Sequence, residues 1–491
     1  MKSLSKSLIT QTIILVISSV SFAQSVQPIL GWKYIPQSEK QWSKSQAFIQ
    51  EKNYFDSLDL AERISKSAKS TSLQKAEALL IEATTLKEAN YSSLALEKFF
   101  NIIREFPGTQ FSYSALVQVD SLLQQTAYSQ DEFQALFNRG AFKEVPETAV
   151  PMISYFTALD NMAKNFPQWV LEPLKQLEGR NYWFFQMQYY AAISLVRDNK
   201  LVQAEKLFEE LESKEITPES IRKKAALQRS RLLLTRSQYD EAEKTYNKFQ
   251  YSGRSMGRII YEKALVRYKN RDFSTALGML KTLKAPFFET AANPEHYLLT
   301  MMIYRDLCYY DAVKKVNSDF EKSYGPLLSL LKSGRSIKGN LQLTRMALQH
   351  GSLKEYADLV NNVRYEEKRL TADPEIPKSL APGYKNIYNN LQNRAEENLR
   401  VPLDKRINEI ANEVVDISES IKLLSYISGL DEFRLKSNYE KRDYKTDTID
   451  QFSFERLYWP VTTEFWWDEF SNYRVLLTDR CDGSALKGSG K

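Results

Sequence analysis

The feature that most constrains the fold of this chain is a helix-turn-helix pattern that recurs along its middle. Three copies place an aromatic or large apolar residue first, an Ala three positions later and another large apolar residue four positions after that, at 201–208, 239–246 and 273–280. A fainter fourth copy covers 309–316. The Ala residues are 38, 34 and 36 positions apart, which predicts stacked helical hairpins of one repeating type. They are Ala204, Ala242, Ala276 and Ala312.

A small or short residue lies twelve positions before each Ala, the last being Thr300. This spacing suits two antiparallel helices that cross closely with a small side chain from each at the contact. A further copy lies upstream, within 76–107. The predicted repeat-packing residues are Ala83, Ala95, Ala192, Ala204, Ser230, Ala242, Ala264, Ala276 and Ala312.

The pattern resembles the tetratricopeptide repeat (TPR), whose period is about 34 residues. The upstream copy matches best, because Ala83, Leu86, Ala95, Phe99 and Pro107 follow the small–large–Ala–aromatic–Pro order of that family. No copy carries the family's Trp-x-x-Leu-Gly opening. The stretch 95–108 also resembles the repeats of outer-membrane-assembly and other periplasmic repeat proteins. The resemblance implies an all-α fold, a right-handed TPR-like α-solenoid of antiparallel helix pairs over 24–331, and a protein-binding role.

In the TPR family the first helix of each repeat lines a concave groove, at its second, fifth, ninth, twelfth and thirteenth positions. Carried over in the register of the four Ala residues, these positions hold tyrosines with Lys and Arg beside them and few acids. Such a groove suits an extended peptide that bears carboxylates. The predicted groove residues are Tyr189, Arg197, Lys224, Arg231, Arg258, Tyr261, Tyr268, Lys269, Tyr297, Tyr304 and Arg305.

Two points stay open for this groove. Members of the family that bind chaperones clamp a terminal carboxylate with Lys and Asn at fixed positions, and the Tyr at the fifth position here departs from that pattern. The alternative is that the tyrosines only pack between helices while Lys and Arg keep the surface soluble. If the groove binds a partner, charge reversal at Arg231, Arg258 and Lys269 together is expected to abolish binding without lowering thermal stability.

Residues 1–23 have the pattern of a signal peptide. Lys2 and Lys6 precede an apolar run at 13–17, and Ser21-Phe-Ala23 forms a plausible cleavage site. An uncleaved anchor is the alternative, while the absence of a Cys after the run argues against a lipoprotein. We expect a periplasmic or secreted protein with no transmembrane segment after cleavage, and other envelope proteins as partners. Cleavage removes two Lys and no acid, so the net charge falls from +6 to +4, too mild to suggest a nucleic-acid partner.

The chain has two cysteines, Cys308 and Cys481, which are 173 positions apart. An oxidising compartment would allow them to pair and so to link the last clear repeat to the C-terminal tail. The alternative, which we slightly favour from the sequence, is two unpaired thiols.

Beyond the repeats, 332–370 predicts one more helical pair, and 371–383 contains three Pro and a Gly, which is typical of a linker. Segment 384–435 then predicts a helical hairpin or a coiled-coil arm. Within it a heptad seam runs from Leu403 to Leu424, after Pro402 at an expected helix start. The seam predicts either a homo-oligomer contact or, as we favour, packing on the helix around 384–399 of the same chain.

The last part predicts a charged linker at 436–451, an aromatic-rich cap at 452–482 and a disordered tail at 483–491. Residues 473–481 suggest an extended segment. The aromatic residues have three possible roles: closing the end of the repeat core, docking on an envelope partner, or stacking on cell-wall sugars. The residues proposed for docking are Trp459, Trp466 and Trp467.

Catalytic chemistry has little support in the sequence. The two histidines, His296 and His350, lack partners at metal-ligand spacing and are expected on helix surfaces, so we predict no metal and no cofactor. We favour a non-catalytic interaction module. The alternative is a cell-wall-turnover enzyme or glycan-binding protein that uses the aromatic and acidic C-terminal segment, with Glu464, Asp468 and Glu469 as candidate acids.

Overall fold

The computed structural model describes residues 27–125, 144–163, 181–250, 256–285, 288, 294–349, 351–438, 473–475, 477 and 479–481. Within these residues the fold is all-α, as predicted. The described strands are β1 (Gln27–Ile29) and β2 (Glu144–Pro146), which pair in parallel.

The α-helices are numbered in chain order. They are α1 (Glu39–Gln50), α2 (Tyr54–Lys66), α3 (Ser72–Glu88), α4 (Ser92–Glu105), α5 (Gln110–Leu123), α6 (Val150–Ala163), α7 (Tyr182–Arg197), α8 (Leu201–Ser213), α9 (Glu219–Thr235), α10 (Tyr239–Asn247), α11 (Met256–Lys269), α12 (Phe273–Thr282), α13 (Glu295–Asp306), α14 (Tyr310–Lys332), α15 (Leu341–Ala347), α16 (Gly351–Leu370) and α17 (Ala381–Asn438).

The chain forms two compact units. Unit 1 comprises residues 1–200, 216–218 and 355–396, and unit 2 comprises 201–215, 219–354 and 397–491. In unit 1, α1 to α5 pack as consecutive neighbours; in unit 2, α8 to α14 do the same. Each unit is therefore a stack of helices in chain order.

One turn recurs at the end of α1, α3, α7, α9, α11 and α13. The second residue after the helix has a positive φ of 58° to 62°, and the next amide donates to the carbonyl five positions back, as Tyr91 does to Leu86 at 2.9 Å. This pattern is the Schellman motif, which satisfies carbonyls at a helix end. The left-handed residues are Lys52, Asn90, Asn199, Ser237, Arg271 and Cys308.

The turn fixes the register of the repeat. Five positions after each left-handed residue lies a buried, mostly small residue, and twelve positions before that one lies a second. The buried pairs are Ser45 with Ser57, Ala83 with Ala95, Ala192 with Ala204, Ser230 with Ala242, Ala264 with Ala276, and Met301 with Val313. The sequence reasoning missed the first pair, because two serines stand where alanines were sought.

The predicted register of the fourth copy is wrong by one residue. Val313 is 1% exposed and receives the position given to Ala312, which is only half-buried. The amide of Val313 donates to Tyr309, just as that of Ala276 donates to Asp272, which makes the two positions equivalent. The larger Met301 and Val313 replace two small residues at this crossing, so the fourth hairpin packs with bulkier contacts.

The predicted hairpin or arm at 384–435 is also different in the structure. Residues 381–438 form one continuous helix, α17, with Pro402 inside it rather than at its start. In unit 2 the heptad seam is buried against α13, α14 and α15 of the same chain, including Ile407, Ile410 and Val414. The seam is therefore part of the core of unit 2 and not an exposed face.

In unit 1 the segment 371–383, predicted to be a linker, is fixed on the N-terminal helices. Asp373 accepts a hydrogen bond from the Tyr91 hydroxyl at 2.7 Å, and Glu375 accepts one from the Phe55 amide at 3.1 Å. These contacts join residues about 280 to 320 positions apart in sequence. The predicted helical pair at 332–370 is present as α15 and α16.

Candidate peptide-binding surface

The predicted groove residues are divided between the two units. Tyr189 and Arg197 belong to α7 of unit 1, where the Tyr189 ring lies 5.6 Å from that of Tyr190. Arg197 is largely exposed, with Asp198 as an ion-pair partner at 4.0 Å. The other nine residues lie on α9, α11 and α13 of unit 2.

A buried carboxylate organises the centre of this face in unit 2. Glu262 of α11 has a side chain only 7% exposed, and Arg231 of α9 donates through its Nε to both of its oxygens at 3.1 Å. Arg258 donates to the same carboxylate at 3.0 Å, and the hydroxyl of Tyr246 donates at 3.1 Å. Burial, with Glu262 as the next cause, raises the pKa of Tyr246. The positive charges of both arginines are thus compensated within the chain.

This cluster corrects two expectations. Acids are not scarce beside the tyrosines, because Glu262 lies between the arginines and Glu295 accepts from Arg258 at 3.1 Å. Reversal of Arg231 and Arg258 to acids would place two new carboxylates beside the buried carboxylate of Glu262. Three negative charges would then lie together without a compensating cation, which lowers stability. The triple reversal that includes Lys269 is therefore expected to lower stability, contrary to the sequence-based expectation.

Tyr261 and Tyr268 of α11 lie beside charged groups. The Arg258 guanidinium lies 5.7 Å from the Tyr261 ring centre, and the Tyr268 hydroxyl donates to Asp306 at 2.9 Å. Lys269 lies 5.8 Å from the Tyr268 ring centre. Burial is the first cause that raises the pKa of both tyrosines to about 12. Both hydroxyls therefore stay protonated near neutral pH and can donate hydrogen bonds.

The register shift in the fourth copy moves two predicted residues. Counted from Val313, the fifth and twelfth positions of α13 are Leu298 and Arg305 rather than Tyr297 and Tyr304. Arg305 pairs with Asp431 of α17 at 2.8 Å, so it too has an acid partner within unit 2. Tyr297 exchanges a hydrogen bond with Ser323 at 3.0 Å, and Tyr304 packs against two apolar clusters.

Lys224 and Lys269 are the remaining cations among the predicted groove residues of unit 2. Both are exposed, and neither forms an ion pair with a residue that the structure describes. In the repeat register set by Ala242, Lys224 has the second position of the first helix. In the register set by Ala276, Lys269 has the thirteenth position. Among the predicted groove residues of unit 2, Lys224 and Lys269 are thus the two cations without an acid partner in the described part of the chain.

Within unit 2, the residues described at 473–475, 477 and 479–481 form a segment without helix or strand that lies against the repeats. The amide of Val475 donates to the carbonyl of Ser274 at 3.1 Å, and that of Arg480 donates to the carbonyl of Leu307 at 3.3 Å. Tyr473, Val475 and Leu477 pack against the apolar cluster of α11, α12 and α13. The segment therefore runs from the start of α12 to the end of α13, across successive repeats.

Gly278 of α12 makes room for this segment. A Cβ atom at this position would lie 1.7 Å from the carbonyl oxygen of Tyr473 and 2.2 Å from its carbonyl carbon. A side chain is therefore incompatible with the observed position of the segment.

The far end of the segment is held covalently. Cys308, in the turn between α13 and α14, forms a disulfide with Cys481, so the slight sequence-based preference for unpaired thiols is wrong. The Arg480 guanidinium stacks 4.1 Å above the Tyr309 ring. The sequence suggested an extended stretch at 473–481 and contained two cysteines. No sequence pattern indicated which helices this stretch would contact.

Other predicted sites fare differently. His296 is 4% exposed with its ring 4.0 Å from that of Tyr297, so its predicted surface position is wrong.

No three His, Cys, Asp or Glu side chains in the described part of the chain are grouped to hold a metal ion. No described helix is long and apolar enough to cross a membrane. The signal peptide, His350, the candidate acids and the three docking tryptophans lie outside the described residues: Glu464, Asp468, Glu469, Trp459, Trp466 and Trp467.

No protein-family model matches the chain, and no curated protein matches it significantly.

Proposed function

We propose that this protein is an exported, non-catalytic scaffold of TPR type that binds extended peptide segments of cell-envelope proteins on its helical repeats. The observation that carries the proposal is the segment 473–481 on unit 2. Its backbone donates hydrogen bonds to the repeats at Val475 and Arg480, and Tyr473, Val475 and Leu477 pack against the apolar cluster of α11, α12 and α13. The segment occupies its own position on α12 and α13, and it supports the proposal as an example of how helical repeats bind a peptide backbone; a ligand would bind the neighbouring face of α9 and α11.

Two further observations support the proposal. The Cys308–Cys481 disulfide suits an oxidising compartment, in agreement with the signal-peptide pattern of residues 1–23. Lys224 and Lys269 are exposed, and Lys269 lies 5.8 Å from the ring centre of the half-buried Tyr268, which suits a ligand with carboxylates. Glu262 and Glu295 on this face bind arginines, and Asp306 accepts from the Tyr268 hydroxyl, so recognition of such a ligand rests on the two lysines.

A charge-reversal experiment tests the ligand-binding face. The purified full chain is applied to an array of nine-residue acidic peptides, and the affinities of the bound peptides are then measured in solution. We expect the double variant Lys224→Glu/Lys269→Glu to weaken binding at least about tenfold with an unchanged melting temperature, because both side chains are exposed.

The matched control is Lys244→Glu/Lys322→Glu, which makes the same charge change at exposed lysines of α10 and α14. Equal losses in the two double variants would mean that only net charge matters. Full binding by the Lys224→Glu/Lys269→Glu variant would remove this face from the proposal.

A further inference from the structure

A cleft within unit 2 lies apart from the predicted groove residues. It has a volume of about 720 Å³ and lies between the loop that joins α14 to α15 and residues 404–415 of α17. This volume is in the range of pockets that hold small organic ligands. The side chains that line the cleft are of two main kinds: cations of the loop, and apolar residues of the core.

Three cations line the cleft without an acid partner among the described residues. Lys332, Arg335 and Lys338 are all exposed, and none of them forms an ion pair with a residue that the structure describes. Asp404 is the carboxylate among the lining residues, and it forms no described ion pair either. Three positive charges less one negative charge leave a net charge of +2 on the lining.

The cations are not needed to complete the end of α14. Lys332 is the last residue of that helix, where a cation interacts favourably with the helix dipole, but Arg335 and Lys338 lie beyond it. The carbonyls of residues 329–331 already accept hydrogen bonds from the amides that follow, at 3.1 to 3.3 Å. The predicted groove arginines of unit 2, by contrast, all have acid partners. The positive charge at the cleft is therefore available to a ligand.

Apolar side chains form the floor of the cleft. Ile407 and Ala411 of α17 are 4% and 5% exposed and belong to the core of unit 2, and three half-buried apolar side chains pack against that core. The floor residues are Leu331, Ile337, Ile407, Ala411 and Val415. Asn412 is exposed at the cleft and carries an amide that can donate a hydrogen bond. The cleft thus offers both positive charge and hydrocarbon surface.

A ligand that fits this lining joins a compact, doubly negative group to an apolar body. A phosphate monoester carries a charge of about −1.5 to −2 near neutral pH, which matches the net charge of +2 on the lining. A carboxylate carries only one charge. Arg and Lys side chains are common phosphate-binding groups. We propose that the cleft binds a phosphate monoester of an apolar compound, with the phosphate at the three cations and the apolar body against the floor.

The first test uses naphthyl phosphate as the probe and measures its binding to the full chain by titration calorimetry. We expect a Kd of about 10–500 μM. Inorganic phosphate lacks the apolar body and naphthol lacks the charge, so each should bind at least about tenfold more weakly. Absence of binding at millimolar naphthyl phosphate, or equal affinity for either of the other two compounds, would overturn the proposal.

The variant Lys332→Gln/Arg335→Gln/Lys338→Gln tests whether the loop cations hold the phosphate. Each exposed ion pair contributes a factor of about 1.5 to 5 in affinity, so the triple variant should bind naphthyl phosphate at least about tenfold more weakly. Its melting temperature should equal that of the wild type, because the three side chains are exposed and have no described ion-pair partner. Unchanged affinity in the triple variant would contradict the proposed site.

The matched control is Lys244→Gln/Lys315→Gln/Lys322→Gln, which removes three charges from exposed lysines of α10 and α14. It should bind naphthyl phosphate as the wild type does. Equal losses in the two triple variants would show that net charge, and not the cleft, attracts the probe.

Vesicles distinguish the two sources of a phosphate monoester, a lipid head group and a soluble compound. Vesicles of equal parts phosphatidylcholine and phosphatidic acid present the group at a membrane surface, and vesicles of phosphatidylcholine alone are the control. If the wild type sediments with the first vesicles and the Lys332→Gln/Arg335→Gln/Lys338→Gln variant does not, the ligand of the cleft is a lipid head group. Binding of naphthyl phosphate without vesicle binding supports the same site with a soluble ester as its ligand.

Discussion

Units 1 and 2 each hold a returning C-terminal segment on their repeats, but they do so by different chemistry. In unit 1 the attachment consists of buried carboxylates: Glu366 accepts from the Ser93 amide at 3.0 Å and from the Tyr388 hydroxyl at 3.0 Å, and Glu82 accepts from Tyr384 at 2.8 Å. In unit 2 it consists of a disulfide and backbone hydrogen bonds. The comparison shows that helical repeats leave surfaces on which either polar side chains or an extended backbone can be fixed.

The carboxylates of unit 1 also replace missing helix caps. The N-cap residues Ser38 and Tyr91 of α1 and α4 form no side-chain capping hydrogen bond. Instead Glu77 accepts from the Ser38 amide at 3.1 Å, and Glu366 accepts from the amides of the first turn of α4. A carboxylate at a helix N-terminus satisfies free amides and interacts favourably with the helix dipole. The attachment in unit 1 thus depends on a few glutamates.

The largest expected effect concerns the covalent attachment in unit 2. Cys481→Ser removes a cross-link over 173 positions and should lower the free energy of unfolding by up to about 5 kcal/mol, because the unfolded chain regains its freedom. Denaturant unfolding measures the change. Reduction of the wild type should give the same loss and should leave Cys481→Ser unaffected; a wild type that is insensitive to reductant contradicts the prediction.

The next effect concerns the carboxylate attachment in unit 1. Glu366→Ala should cost about 3 kcal/mol, because it leaves the amides of Ser93 and Leu94 and the hydroxyl of Tyr388 buried without an acceptor. Chemical denaturation with a probe in unit 1 measures it. Glu367→Ala, one residue along the same helix and only half-buried, should cost less than about 0.5 kcal/mol. Equal costs would show that Glu366 does not hold the segment.

A smaller effect separates the extended segment from the disulfide. Gly278→Ala should displace Tyr473 and cost about 1–3 kcal/mol, because the new Cβ overlaps the backbone of the segment. Hydrogen exchange at Val475 should become faster. Gly325→Ala in α14 is the control: its Cβ would meet only Glu321 at 3.7 Å, so it should stabilise by up to about 1 kcal/mol. Stabilisation by both changes would mean that the segment is not seated on α12.

The smallest effect is a pH dependence confined to unit 1. Burial raises the pKa of Glu366 above its ordinary 4.5, against the lowering by its hydrogen bonds. Its proton therefore stabilises the folded state fully below pH 4.5, and this contribution is lost as pH rises through the raised folded pKa. The free energy of unfolding of the wild type relative to Glu366→Gln should fall as pH rises from about 4 to 7, by at most about 1.4 kcal/mol per pH unit. A difference that is constant with pH would contradict the shift.

The sequence predicted the features of the fold that depend on contacts between residues of one repeat. Spacing of Ala204, Ala242 and Ala276 located the hairpins, because a close helix crossing requires small residues at fixed intervals. It failed at Ala312, since Ala312 and Val313 both suit a helix and only the left-handed turn at Cys308 decides between them. The sequence analysis also placed a helix start at Pro402, because proline is common at the first position of a helix. In the structure Pro402 lies inside α17, so tertiary packing overrides this local preference.

The candidate site was less predictable, because its chemistry depends on contacts between distant positions. The expectation of a basic groove counted arginines on one helix face, but Glu262 reaches Arg231 from 31 positions away. The attachment of Glu366 to Ser93 spans 273 positions, and no pattern in the sequence pairs them. Periodicity locates helices, whereas the charge that remains free on a face appears only after folding.

The central claim is that an extended segment of the chain lies fixed across the repeats of unit 2. Peptide mapping of the unreduced protein by mass spectrometry tests it most directly. The account predicts one disulfide-linked species that joins the peptide containing Cys308 to the peptide containing Cys481, and its loss on reduction. Two free thiols in protein recovered from an oxidising compartment would contradict the claim.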